Sequence, residues 1–500
     1  MKKRRILLYT LLYILLFPQL TSAASQSPYH SYTYDYWESV VYTPDPYLPN
    51  QTFTGQGLES GSFNSPQDLT VTDEGIIYVA DTGNNRIVVL TKDLQLIKVI
   101  DSFQNQNGQA DSFDGPSGVY LSEKEHLYVA DANHNRVVVL DQDEQLVRYI
   151  QNPQSEVLES NFVFTPLKVA VDYADRVYVI SKNMYQGIMT FDEKGDFSGF
   201  SGTINVSLSF TEKVWRILST KEQRSRQILY IPTEFTGMDI DPDGFVYASN
   251  IDAKGEQGLR RLNPKGQDVI KTSLRNNLGG DQSYRLVGDY SGPSTFVDVS
   301  YRGSGIYSAL DSARGRIFSY DDEGKLLYIF GGLGTQEGTF RRPVAMEVLG
   351  DQLLVLDAGN NAIMSFTPTH YGSLINEAVK KRFEGDESQT VALWEEVLKM
   401  DTNNELAYVG IGKSYLTSGN NEQATEYLSK GKDREYYSIA YKRYRNDILQ
   451  DHFNSLLTIL LVGIILIWLY RRLSRRYDFK IMVWLKAKGQ RSLREESSNV

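Results

Sequence analysis

A repeat of about fifty residues dominates the sequence: FNSPQDLTVTDEGIIYVADTGNNRIVVL starts at Phe63 and FDGPSGVYLSEKEHLYVADANHNRVVVL at Phe113. A more worn copy starts at Phe164, and later ones at Phe235, Phe296 and Phe340, which makes six. Each clear copy alternates short β-branched and aromatic runs with Gly, Asp and Asn turns, as four antiparallel strands should. Six such units with no long helix between them predict a mainly β fold, a six-bladed β-propeller. The sixth copy supplies three strands and then reaches Pro368, where the pattern turns helical. Phe53 stands ten residues ahead of Phe63, as Phe103 does of Phe113 and Phe330 of Phe340. Residues 50–55 are therefore expected to add the missing outer strand to the last blade and remove its open edge.

YVADTGNNRIVVL and YVADANHNRVVVL resemble the core of the NHL repeat, and the resemblance spans residues 50–368. NHL domains are six-bladed propellers, which agrees with the count. The motif residues are Asp81, Gly83, Asn85 and Arg86, then Asp131, Asn135 and Arg136, then Asp311 and Arg316, then Asp357 and Asn361. Asp81 ends the second strand and can accept turn N–H groups; Gly83 and Asn84 tolerate left-handed backbone, and Arg86 starts the third strand within reach of the carboxylate. Asp131 with Arg136 and Asp311 with Arg316 repeat the pair, whereas Asp357 faces Ala362 and has lost it. Recurrence in several blades marks blade architecture, because a functional site is needed only once.

The two ends differ from the body. Residues 1–23 run from Lys2, Lys3, Arg4 and Arg5 through an apolar stretch to Thr21, Ser22 and Ala23, the order of a secretory signal peptide. Residues 453–470 carry no charge and are long enough for a transmembrane helix. Asp447 and Asp451 precede them and Arg471, Arg472, Arg475 and Arg476 follow, which places the C-terminus in the cytoplasm by the positive-inside rule. Residues 471–500 form a basic cytoplasmic tail facing anionic lipid. The expected location is thus the cell membrane, single-pass, with an extracytoplasmic body. Because that body is acidic, nucleic-acid binding is disfavoured.

Two segments break the repeat. An insertion at about residues 200–232 holds Val214, Ile217 and Leu218 at helical spacing and, in its basic second half, Lys221, Arg224 and Arg226, a candidate partner contact. Residues 372–450 change to a helical period, and Gly385-Asp386 aligns with Gly419-Asn420 at a shift of 34. Together with KMDTNNELAYVGIGKSYL this resembles tetratricopeptide repeats, which bind peptides or helices; Trp394, aligned with Leu428, and Tyr427, aligned with Leu393, are the candidate contacts. A Tyr-rich arm at residues 24–49 either packs along the ring or offers rings to a sugar or protein. The arm is similar to that of exported NHL proteins of Gram-positive bacteria found with sugar-uptake systems.

Chemistry is sparsely signalled. With no cysteine and five histidines, thiolate metal sites and thiol nucleophiles are excluded. Peptidyl-hydroxyglycine lyases resemble NHL propellers but use histidines from several blades; here the repeats hold only His126 and His134. Gluconolactonase-like propellers hold a calcium-type ion with oxygen ligands, and Asp239, Asp241, Asp298 and Glu347 lie near inner strands. No GxSxG elbow or phosphate-cradling loop is present. The preferred expectation is a membrane-anchored binding or scaffold protein without catalytic, metal or cofactor residues. Its partner would be a protein at the cell surface, a transporter component or a cell-wall glycan. The alternatives are a calcium-dependent propeller hydrolase and a sugar-binding accessory of a carbohydrate uptake system.

Overall fold

The computed structural model describes residues 27–158, 161–203, 234–252, 258–271, 278, 280–282 and 292–496. The leader at 1–23 and the insertion bases Lys221, Arg224 and Arg226 lie outside the described residues. The chain divides into two compact units, Met1–Ala407 and Tyr408–Val500.

The first unit is the six-bladed propeller with the helices that follow it. Blade 1 is an antiparallel sheet of Asp68–Val71, Ile77–Asp81, Arg86–Leu90 and Leu96–Ile100 in chain order. The first strands of the six sheets are Asp68–Val71, Pro116–Leu121, Pro166–Val171, Phe235–Ile240, Phe296–Tyr301 and Pro343–Leu349. Each packs beside the next, and the sixth beside the first, so they form a closed inner ring. Blade 4 has three strands among the described residues, with Asp268 bridging to its third at Leu262.

The last blade is completed by Tyr47–Phe53, which pairs antiparallel with Ala362–Pro368 from Phe53 opposite Ile363 to Tyr47 opposite Pro368. The closing strand thus starts three residues before the stretch from Asn50 that the phenylalanine spacing picked out. Apolar side chains fill the seam it helps to close: Leu69, Ile77, Val79, Val88 and Leu90 of blade 1 meet Ala345, Leu354, Leu356 and Ile363 of blade 6. Full burial of one such larger side chain stabilises by about 1.5–3 kcal/mol. The six repeat phenylalanines, Phe63, Phe113, Phe164, Phe235, Phe296 and Phe340, are all buried.

The arm is part of the wall. Its hairpin, Tyr32–Tyr34 with Val40–Tyr42, extends blade 5 to six strands by pairing Tyr32 with Ile329. The Tyr32 and Tyr34 hydroxyls donate to Asp281, and the Tyr29 hydroxyl donates to the Tyr47 carbonyl at 2.8 Å.

Helix α1 (His370–Phe383) starts at the end of the last blade, with Thr369 as N-cap accepting from the Gly372 N–H and donating to the Asp45 carbonyl. It is tied to the propeller by a polar network: Tyr328 donates to Asn376 at 2.6 Å, Asn376 donates to Tyr47 at 3.0 Å, and Arg302 donates to both tyrosines. Helix α2 (Glu387–Met400) follows, capped by Asp386 accepting from the Gln389 N–H. Helix α3 (Glu405–Thr417) begins at the end of this unit.

In the second unit, α4 (Asn421–Lys430) is capped by Asn420 accepting from the Gln423 N–H, the same cap one 34-residue shift later. Val409, Leu416, Ala424 and Leu428 pack with Ala440 of helix α5 (Arg434–Glu496). Within α5, the stretch Arg434–Lys488 is long and apolar enough to cross a membrane, with mean hydropathy 2.2 in a window of which none is buried.

Candidate functional site

Because every inner strand opens in the same register, equivalent positions meet around the axis. Two residues after Pro66, Pro116, Pro166, Phe235, Phe296 and Pro343 stand Asp68, Gly118, Lys168, Gly237, Asp298 and Ala345. Charge therefore falls on alternate blades. Lys168 Nζ lies 2.5 Å from an Asp68 carboxylate oxygen and 3.8 Å from one of Asp298, although the three come from blades 1, 3 and 5. Only side chains reaching across the axis can make these contacts. The two glycines between them are required by space: a Cβ on Gly237 would sit 2.3 Å from Asp298 Oδ1, and one on Gly118 2.7 Å from the Leu167 carbonyl oxygen.

The carboxylates also satisfy the inner edge of the ring. Asp68 accepts from the Val119 N–H at 3.0 Å, Asp239 from Tyr301 at 2.7 Å and Asp298 from Met346 at 2.8 Å, in each case a donor on the next blade. Inner-strand N–H groups have no ladder partner on that side, so the acids complete their bonding. Two residues further along, Asp239, Glu347 and Tyr120 are half-buried, while Ser300 donates to Glu347 at 3.4 Å.

Burial disfavours the charged acids. It pushes Asp239 up to about 6 and Asp298 up to about 7, the latter against the pull of Lys168. Burial also raises Asp68 and Glu347, and the neighbouring Asp239 and Asp298 raise Glu347 further. For Lys168 burial opposes the ammonium, but Asp298 and Asp68 outweigh it and hold the proton. One buried cation thus serves several carboxyls, some of which keep protons near neutrality.

Of the four calcium-ligand candidates, Asp239, Asp298 and Glu347 face the axis. Asp241 does not join them: it accepts from the Asp243 and Phe245 N–H groups of its own turn and pairs with Arg261 at 3.2 Å. Among the described residues no group of three or more His, Cys, Asp or Glu side chains is placed to hold a metal ion. His126 sits in a turn, and His134 takes the place of Asn84, its Nδ1 2.8 Å from Asp131.

The NHL motif residues lie at the blade turns, away from the axial cluster. Asp81 accepts from the Asn64 N–H at 2.7 Å, from Asn84 at 2.8 Å and from Arg86 Nε at 2.7 Å. Asp131 and Arg136 repeat the pair at 2.8 Å, and Arg136 adds a two-pronged bond to Asp111. Asp311 departs from the expected pairing. Arg316 donates to the His30 and Gly331 carbonyls, and among the described residues Asp311 is paired instead with the buried Arg314 at 3.9 Å. Asp357, opposite Ala362, accepts from the Arg341, Arg342 and Gly359 N–H groups instead of from a cation.

The left-handed residue of the turn is neither Gly83 nor Asn84 but Asn85, with φ 54°, matched by Asn135 at 55° and Asn361 at 51°. Their side chains reach the next blade: Asn85 accepts from the Gly115 N–H, Asn135 from the Thr165 hydroxyl and Asn361, across the closing seam, from the Ser65 N–H. Gly83 is needed for close approach, since a Cβ there would lie 2.6 Å from the Asn64 carbonyl oxygen.

The helical contact candidates fare differently. Trp394 is only 2% exposed, so it packs inside the helical region instead of facing a partner. Tyr427 is half-buried between Tyr408 and Tyr415, with ring centroids 6.4 and 5.6 Å away, and Lys430 lies over its ring. Sequence reasoning missed Asp68 and Lys168. The signal was available in the shared register of Pro66, Pro116 and Pro166.

The NHL repeat family matches residues 63–90 and 113–140. No curated protein matches the chain in sequence. Among solved structures, the chain is similar to a virginiamycin B lyase from Staphylococcus aureus at 11% identity and TM-score 0.40, covering 64% of this chain and 99% of that one. It is also similar to a PQQ-bound aldose sugar dehydrogenase from Streptomyces coelicolor at 13% identity and TM-score 0.37, covering 64% and 100%. Likeness at this level says nothing of this chain's chemistry.

Proposed function

We propose that this chain is a membrane-anchored, extracytoplasmic binding protein. Its NHL propeller and tetratricopeptide-like helices hold a surface protein or glycan, and one span fixes them to the membrane. The observation that carries the reading is the axial cluster. Asp68 and Asp298 share Lys168 and, with Asp239, bond backbone N–H groups of neighbouring blades. Groups engaged in this way tie the ring together and are poorly available to a calcium ion or a lactone. The unburied apolar stretch in α5, with acids before it and four arginines after it, supports the anchor and its orientation.

Tyr427, on a partly open aromatic cluster, and the insertion bases Lys221, Arg224 and Arg226 are the proposed contacts. The test places a photo-crosslinking residue at Tyr427 in the full chain in cells and, separately, assays the purified protein with calcium and lactones. A discrete adduct that disappears when Lys221, Arg224 and Arg226 are all changed to Glu is expected. Calcium-dependent lactone hydrolysis by the purified chain would replace the binding reading with the hydrolase.

A further inference from the structure

Helix α5 does not end where its apolar span ends. The helix continues from Arg471 to Glu496, and Leu473, Ile481, Trp484 and Leu485 within it are all more than half exposed. At 3.6 residues per turn these four fall within roughly 120° of the helix circumference. Arg471, Arg472, Arg475, Arg476, Lys480 and Lys486 occupy most of the remaining arc, together with Met482 and Val483. Lys488 lies on the apolar side with its ammonium 4.9 Å from the Trp484 ring centroid, and Arg472 stacks on Trp468 at 5.0 Å. Long basic side chains over indoles are suited to a boundary between apolar chains and charged headgroups.

If the helix ran straight out of the bilayer, Trp484 would stand roughly 20 Å beyond Tyr470, with its apolar arc in water. We propose that residues 471–488 instead lie along the membrane surface, the Leu473–Ile481–Trp484–Leu485 arc dipping between acyl chains and the bases gripping anionic phospholipid headgroups. The occupant follows from charge and continuity. Residues 471–500 hold nine bases against three acids, and the segment is covalently continuous with the span. The turn onto the surface would fall near Ser474, the polar residue between the pairs Arg471–Arg472 and Arg475–Arg476. The surface helix rests on the membrane-anchor reading and adds a second, lipid-selective contact to it.

Because the chain has no cysteine, single labels can be placed cleanly. The full chain carrying Ile481→Cys, or Leu461→Cys in the span, is labelled with a small fluorophore. Each is reconstituted in vesicles of phosphatidylcholine alone or mixed with phosphatidylglycerol, and quenching by an aqueous quencher is read. At position 481 several-fold protection is expected in the anionic vesicles, reduced in neutral ones and at high salt, while position 461 is protected in both. Arg475→Glu with Arg476→Glu should abolish protection at 481 and leave 461 unchanged. Equal exposure at 481 in both vesicle types, with 461 protected, overturns the surface helix alone. Exposure at 461 overturns the span and the surface helix with it.

Discussion

Lys168 is a buried lysine whose ammonium is shared by Asp68 and Asp298. Removing one member of such a group leaves buried charge without compensation, at about 3–5 kcal/mol. Lys168→Met should therefore lower ring stability by that order, and Lys168→Met combined with Asp68→Asn and Asp298→Asn should recover part of it. Thermal unfolding of the three proteins checks this, and a single variant as stable as the parent would mean that the cluster holds nothing. The same site sets a pH dependence. Asp298 at about 7 and Asp239 at about 6 lie above the roughly 3.9 of an unfolded aspartate, so the folded ring binds more protons. Their contribution is complete below about pH 4 and is lost as pH rises through 6 to 7. Asp111, held low chiefly by its bonds from Arg136, acts in the opposite direction at lower pH, so the decisive quantity is a difference. Between about pH 5 and 7.5 the melting temperature of the parent should fall relative to that of Asp298→Asn, and an unchanged difference would contradict the assignment.

Closure of the ring belongs to the scale of elements. Strand Tyr47–Phe53 carries the ladder to Ala362–Pro368, and the same segment supplies Tyr47 to the Arg302, Tyr328 and Asn376 network that holds α1. Deleting residues 47–53 should thus destabilise blade 6 and the seam with blade 1 together, seen as a lower melting temperature and faster amide exchange in Ala362–Pro368. Loss of protection confined to residues before 47 would contradict it. Much of this was legible, because phenylalanine spacing and alternating runs report burial directly. The six blades and the closing segment follow from Phe53, Phe63 and their equivalents. The axial cluster was half legible. Asp239, Asp298 and Glu347 stood out as acids near inner strands, but Lys168 became visible only when blades 1, 3 and 5 were brought to one axis. A contact across the ring leaves no local pattern in the chain. The turn chemistry was misassigned for a similar reason: Asn85 serves the next blade through Gly115, and its own repeat does not show that.

At the scale of the whole molecule, an acidic propeller and a cationic C-terminal segment stand on either side of one apolar stretch, and the proposed orientation rests on that charge asymmetry. A propeller inside the cytoplasm would put the four arginines after the span on the outside, against the positive-inside rule. The most direct test uses the absence of cysteine. Asn107→Cys, on an exposed turn of the propeller, and Ser498→Cys, near the C-terminus, are each introduced into the full chain and treated in intact cells with a membrane-impermeant maleimide. Labelling at 107 without permeabilisation, and at 498 only after it, is the expected result. Labelling at 498 in intact cells with 107 protected would contradict the account.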